Sequence, residues 1–302
     1  MKLNFADTKV LLIGDLMVDH YILGSSSRMS PEAPVPVIIP QTEYSIPGGA
    51  GNVAMNLSSL GAQVTCLGYV GDDIWGEKLI SLLKDNKINT ENIEIIDNHS
   101  TTLKKRIYLK TKQVARIDVE EIIDWSSNFQ LDQNYDLIIL SDYNKGVLNN
   151  LWFDLSLLNN VIVDPKKSSF SHYKGATIIT PNLNELQKAS PIKIKDNESI
   201  ISACKQLINE NNFEYIIAKK GERGITIVGK NNFIKHIKAH NISKPDVTGA
   251  GDTIIAALSL SYLKTKDIEF SVKFANAAAA VVVNKTGTSF AKLNEIKKLI
   301  KI

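Results

Sequence analysis

The segment with the clearest capacity for chemistry is Asp246-Val247-Thr248-Gly249-Ala250-Gly251-Asp252-Thr253. It is a small-residue turn leading into an uncharged apolar run over 253–263, the pattern of a buried helix. The first-turn amides of a helix have no internal partners and sit at the positive end of its dipole, which makes an anion cradle. Gly249, Ala250 and Gly251 leave the backbone open to a phosphate. A carboxylate among these amides, Asp252, reads in two ways. It is a helix N-cap, or it is a general base beside a phosphate, as needed to deprotonate a hydroxyl for phosphoryl transfer.

A second glycine turn, Pro47-Gly48-Gly49-Ala50-Gly51-Asn52, opens a helical pattern over 53–60. Its GGxGN spacing is not GxGxxG, no strand is expected immediately before it, and no GKS or GKT occurs in the chain. Dinucleotide and Walker loops are therefore excluded. The plain reading is a turn and a helix start. The functional one is close backbone approach to a polyhydroxylated ligand, with Asn52 offering donor and acceptor. His236 and His240 are four apart but lack the Glu of HExxH, so they read as surface histidines. Cys66 and Cys204 lie far apart in apolar segments outside any CxxC, as buried reduced thiols do.

These turns need a scaffold. Short apolar runs at 9–14, 63–69, 137–141, 160–164, 176–180, 215–219 and 225–228 read as strands buried on both faces. Helical patterns fall between them at 51–60, 75–86, 151–158 and 198–211. That alternation predicts an α/β fold with a doubly wound, largely parallel sheet. Two stretches break it. Residues 21–46 carry four of the nine prolines and alternate at Val35, Val37 and Ile39, and 101–121 alternate with Lys104, Arg106 and Lys110 on one parity. Both read as inserted β ribbon, a lid spanning about 20–46 and 100–121 on a single domain covering 1–302. Segments 249–263 and 270–283, rich in small apolar residues, predict two helices buried nearly all round.

Composition sets the outer bounds. The 302 residues, 44% hydrophobic, supply a core and rule out disorder, collagen and a small disulfide scaffold. Thirty-five Lys and Arg against 32 Asp and Glu give +3, too mild for nucleic acid. The run over 253–263 has about half the length needed to span a bilayer, and the apolar start at 10–13 is too short for a signal peptide. A cytoplasmic protein with no membrane partner is expected.

Together, Gly48-Gly49-x-x-Asn52 followed by Gly61 and Gly71, and Asp246-x-Thr248-Gly249-Ala250-Gly251-Asp252, resemble the paired signatures of the ribokinase-like (PfkB) carbohydrate kinases. The order and separation match over essentially the whole chain. Within that family the chain is most similar to the D-glycero-D-manno-heptose 7-phosphate kinases of bacterial ADP-heptose synthesis. The similarity runs through 14–21, Ser27-Arg28-Met29-Ser30-Pro31-Glu32-Ala33-Pro34-Val35-Pro36-Val37, Ser141-Asp142-Tyr143-x-Lys145-Gly146, Asp164-Pro165-Lys166, Thr180-Pro181-Asn182-Leu183-x-Glu185, Asn276-Ala277-Ala278-Ala279 and Gly287-Thr288-Ser289. The resemblance implies a ribokinase-like fold and transfer of phosphate from ATP to the anomeric hydroxyl, giving the 1,7-bisphosphate for lipopolysaccharide-core precursors. Many such kinases are fused to an adenylyltransferase. No HxGH motif occurs here, so no adenylyltransferase domain is expected and that step falls to a separate polypeptide.

By the same resemblance Asp252 is the base, and the amides of Gly249, Ala250 and Gly251 hold the γ-phosphoryl group. Asn182 and Glu185 organise Mg²⁺ through water, the alternative being an N-cap and a first-turn acid; Asp164 and Lys166 support the same phosphates. Gly221, Gly224 and Asn276 match the nucleotide site, as does the position of Lys219, where the family more often carries a small polar residue. Asp246 and Thr248, with the loop at Gly287, match a monovalent-cation (K⁺) site of many relatives. Asp19, Gly48, Gly49 and Asn52 match the sugar-hydroxyl set. Lys104, Arg106 and Arg116 of the lid, and Lys145, are the candidate partners of the sugar's own phosphate; charge on a ribbon also serves solubility and edge protection. Lid pairing between subunits implies a homodimer. The same chemistry on ribose, fructose 6-phosphate or 2-keto-3-deoxygluconate, and a non-catalytic sugar- or nucleotide-binding regulator, are the alternatives.

Overall fold

The computed structural model describes residues 3–131, 134–242, 247–285 and 289–300. Its main sheet has nine strands. At the centre lie β1 (Lys9–Gly14), β4 (Gln63–Gly71) and β5 (Asn89–Ile96) on one side, and β8 (Leu137–Ser141), β9 (Val161–Asp164), β10 (Ile178–Ile179) and β11 (Tyr215–Lys219) on the other. All of these pair in parallel, and β12 (Ile225–Gly229) and β13 (Ile234–Ile237) close the far edge antiparallel. Strand β1 shows why the central runs lack alternation. Val10 and Leu12 enter one hydrophobic core, while Leu11 and Ile13 enter a second on the opposite face.

The first core packs against α1 (Ala50–Ser59), α2 (Ile74–Asp85), α5 (Ala250–Thr265), α6 (Ile268–Val283) and α7 (Leu293–Ile300), and the second against α3 (Leu183–Ala189) and α4 (Asn197–Asn211). Helices α5 and α6 are buried along most of their length, as their composition predicts. From β1 the chain winds outward to β4 and β5, then returns past β1 to build β8 onward. The winding reverses between β1 and β8, where Gly14 pairs with Ser141. In open α/β sheets ligands bind outside the carboxyl ends of strands at such a reversal.

The lid is a separate four-stranded sheet of β2 (Leu16–Ser25), β3 (Ile39–Gly49), β6 (Leu103–Leu109) and β7 (Lys112–Val119), in the order β3-β2-β6-β7. Each ribbon is antiparallel, and the two join through a parallel β2–β6 pairing. Three expectations need correction. Strand β3 runs straight into the first glycine turn, because Gly48 and Gly49 complete its ladder with Met17 and Leu16. The helix expected over 151–158 reduces to a 3₁₀ turn at Leu155–Leu157, where Asp154 takes the Ser156 amide at 2.9 Å and offers the backbone a local alternative. The strand expected over 176–180 is the two-residue β10. Cys66 and Cys204 are buried free thiols, their pKa pushed up to about 12 by burial.

Candidate active site

Asp15, directly after β1, organises the reversal point. Its carboxylate is 1% exposed and accepts the amides of Tyr143 (2.7 Å), Lys145 (3.0 Å) and Val147 (3.0 Å). Burial and the neighbouring Asp142 push its pKa up, against the pull of those amides. Its own amide donates to the Ser141 carbonyl, and its carbonyl accepts the Ala50 amide at 3.0 Å. One residue thus fastens β1, the loop after β8 and the start of α1. Gly49, which caps α1, is held at φ +55°, and a Cβ there would lie 2.6 Å from the Asp15 carbonyl oxygen. Only glycine suits that backbone.

Asp252 lies in the first turn of α5, buried, behind Gly249 at φ +73°; the helix has no side-chain cap. Asn52 Nδ2 donates to its Oδ2 at 2.5 Å, and the Tyr143 hydroxyl donates to its Oδ1. Behind them Asn56 Nδ2 donates to the Asn52 carbonyl at 2.9 Å, and Thr253 Oγ1 donates to Asn56 Oδ1 at 2.9 Å. This chain of bonds welds the two glycine-opened helices together. Burial pushes the pKa of Asp252 up to about 6; Tyr143 and Asn52 pull it down, nearby Asp164 raises it and Lys219 lowers it. A carboxylate ionised near neutral pH yet basic enough to take a proton suits a general base. Of the three turn amides, that of Ala250 donates to the Val247 carbonyl at 3.2 Å.

Lys219, at the end of β11, pairs with Asp164 Oδ1 at 2.5 Å, and Thr180 Oγ1 donates to the same oxygen at 2.8 Å. A Cβ on Gly251 would sit 3.7 Å from Lys219 Nζ, so the ammonium lies over the turn that opens α5. A cation there faces the positive end of a helix dipole. Asp164 compensates it, and an incoming anion would do so more fully. Asn182 and Glu185 form a reciprocal capping box at the start of α3, with bonds of 2.9 and 2.8 Å, and Glu185 Oε1 also meets Lys166 Nζ at 3.3 Å. The capping role is therefore built. Glu185, with its oxygens already engaged, suits the outer-sphere water contacts that Mg²⁺ favours, and no cluster of three metal-ligating side chains occurs among the described residues. Gly221 opens the 3₁₀ turn between β11 and β12, and Gly224 closes it through its carbonyl, which accepts the Lys220 amide at 2.8 Å. Asn276, buried on α6, donates to the Lys238 carbonyl at 2.8 Å.

On the lid side, Asp19 Oδ1 pairs with Arg106 Nη1 at 2.6 Å, and Gly48 lies against the same carboxylate. Lys145 pairs with Glu120 at 2.5 Å, and Arg116, exposed on β7, pairs with Asp118 at 2.8 Å. Lys104 differs. Its ammonium rests 3.0 Å from Met17 Sδ and 6.0 Å from the Tyr143 ring centroid, and among the described residues no carboxylate comes within ion-pair distance of it. Burial pulls its pKa down. Thr248 sits in the turn before α5, whereas Asp246 and Gly287 lie outside the described residues. His236 and His240 are exposed.

The fold thus brings Asp252, Asn52, Asp164 and Lys219 together, with Lys104 beside the Tyr143 ring and Arg106 paired to Asp19, while Arg116 stays exposed on β7. Sequence reasoning did not give roles to Tyr143 and Asp15. Their signal was position: Asp15 directly follows β1 and Tyr143 lies two residues beyond β8, the two strands flanking the point where the winding reverses.

A parallel sheet with a β-sheet lid over its carboxyl edge, and a buried carboxylate heading a glycine-opened helix, is the architecture of the ribokinase-like sugar kinases. Among solved structures the fold matches Arabidopsis thaliana ribokinase complexed with ribose and ATP, at TM-score 0.77 and 20% identity over 99% of this chain and 100% of that one. It also matches Escherichia coli phosphofructokinase-2, at TM-score 0.74 and 17% identity over 97% and 98%. The family model described as pfkB family carbohydrate kinase matches residues 7–295, and the chain belongs to that family. It is 42% identical over 302 residues to the bifunctional protein HldE of Aliarcobacter butzleri, covering 95% of this chain and 63% of that protein. With HldE of Helicobacter acinonychis it shares 40% over 97% and 66%. The chain spans just under two thirds of the length of these curated relatives. No helix among the described residues is long and apolar enough to cross a membrane.

Proposed function

We propose that this carbohydrate kinase transfers the γ-phosphoryl group of ATP to the anomeric hydroxyl of D-glycero-D-manno-heptose 7-phosphate, giving the 1,7-bisphosphate. The observation that carries this reading is the Asn52–Asp252 bond, which sets the sugar-binding turn directly on the base. The relatives named HldE and the motifs shared with heptose 7-phosphate kinases support the choice of sugar.

Asp19 and the amides of Gly48 and Gly49 hold sugar hydroxyls, and Lys104 takes the 7-phosphate. Asp252 accepts the proton of the anomeric hydroxyl as its oxygen bonds to the γ-phosphorus and the bond from that phosphorus to the β-bridging oxygen breaks. The helix turn Gly249–Gly251 and Lys219 stand where charge develops on the transferred group. Asn182 and Glu185, with Asp164, would hold Mg²⁺ through water, and the ion would neutralise triphosphate charge. Gly221, Gly224 and Asn276 border the nucleotide. Asp246 and Thr248 would take K⁺. Lid closure excludes water, which competes for the phosphoryl group.

Exposed Ile39, Tyr44, Val114, Ile117 and Val119 on the lid support a homodimer paired through that sheet. The reaction belongs in the cytoplasm, where ATP is made, and the later adenylyl transfer belongs to a separate catalytic unit. A panel of sugar 6- and 7-phosphates, ribose and 2-keto-3-deoxygluconate with Mg-ATP tests the assignment. Heptose 7-phosphate should give the highest kcat/KM. A higher value on another sugar reassigns the substrate.

A further inference from the structure

Each oxygen of the Asp252 carboxylate already accepts a bond from a protein donor, Asn52 on Oδ2 and Tyr143 on Oδ1. The two donors are not equivalent. Asn52 sits within the first turn of α1, tied to Asn56 behind it, and its own Oδ1 is buried without a partner. Tyr143 sits on the loop after β8, which Asp15 grips by three successive alternate amides. Two residues on, Lys145 is latched to Glu120, at the end of the lid sheet. The hydroxyl on Oδ1 therefore belongs to a loop connected to the lid, whereas the amide on Oδ2 belongs to the rigid core.

We propose that Tyr143 is a positioning residue that occupies Oδ1 of Asp252 until an acceptor sugar arrives, so that the base deprotonates the sugar hydroxyl and not water. This rests on the kinase reading of the site. The phenol is a fitting occupant. It donates the same O–H group as the acceptor alcohol and stays protonated, because burial and the adjacent carboxylates of Asp252 and Asp164 push its pKa well up. Without it, a water on Oδ1 would give up its proton to Asp252. Its oxygen would bond to the γ-phosphorus of ATP while the bond to the β-bridging oxygen breaks, releasing ADP and phosphate. This hydrolysis is the side reaction a kinase must suppress.

The test is Tyr143→Phe, which removes one oxygen and keeps the ring. ADP release is measured with and without the preferred sugar phosphate, and the ratio of sugar-independent to sugar-dependent turnover is compared with wild type. The ratio should rise at least tenfold, and adding Asp252→Asn to the variant should abolish the gain. The acid limb of kcat/KM should move to higher pH, since a donor to the carboxylate is lost. A melting curve and binding of a fluorescent ADP analogue verify that the variant is folded. A folded variant whose ratio stays within twofold of wild type overturns the proposal, whatever happens to either rate alone. If wild type phosphorylates no sugar in the panel, the kinase reading fails, and it fails before the variant is compared.

Discussion

Asn52 and Asp252, 200 residues apart in sequence, meet through a 2.5 Å hydrogen bond between the first turns of α1 and α5. Each residue follows a glycine turn that opens its helix, and neither helix has a capping side chain. The meeting point is a carboxylate buried at the sheet's carboxyl edge, and from its surroundings several outcomes follow.

Asp252→Asn should be inactive and more heat-stable. Burial lifts the folded-state pKa of Asp252 to about 6, above its ordinary value of 3.8, so the folded protein binds this proton more tightly than the unfolded chain. Its ionisation above pH 6 therefore subtracts from stability, by roughly 1–3 kcal/mol. The variant should melt a few degrees higher at pH 8, with the difference fading as the pH falls from about 6 toward 4. An unchanged or lowered melting temperature at pH 8 contradicts the assigned environment.

Wild-type kcat/KM should fall as pH drops through about 6, as the base takes up its proton. Lys219→Met, or Lys219→Thr if that variant folds better, should shift this limb upward, because the charge that pairs with Asp164 and lowers the pKa of Asp252 is lost. It should also lower kcat roughly 10²-fold through lost charge stabilisation at the phosphoryl group. A limb that stays in place, with kcat intact, removes Lys219 from the site.

Lys104→Met should raise KM for the phosphorylated sugar about 10-fold or more while moving that for ATP less than twofold, the size of one charged hydrogen bond. Arg106→Ala should behave differently. It releases Asp19, so it should weaken binding of phosphorylated and unphosphorylated sugars alike. If Arg106→Ala alone discriminates between them, the phosphate anchor is Arg106.

Much of this site was legible in the chain. Glycine turns announce themselves because backbone geometry, rather than distant contacts, dictates their residues, so Asp252, Gly49 and Asn52 could be assigned roles. The sheet was legible because β1 and β8 are apolar on both faces. The pairings were not. Asp164 meets Lys219, and Tyr143 meets Asp252, only because the strand order sets their loops side by side. Arg106 looked like a free cation on an alternating ribbon, yet the parallel joining of β2 to β6 sets it on Asp19. The stretch 151–158 carried helical spacing, and there Asp154 caps a single 3₁₀ turn by taking the Ser156 amide, a local bond that spacing alone does not reveal.

The most direct test of the central claim is a phosphorus NMR spectrum of heptose 7-phosphate incubated with Mg-ATP and the enzyme. A new resonance coupled to the anomeric proton should appear with wild type and be missing with Asp252→Asn. No such resonance with wild type, or one that forms at a near-normal rate with Asp252→Asn, would contradict the account.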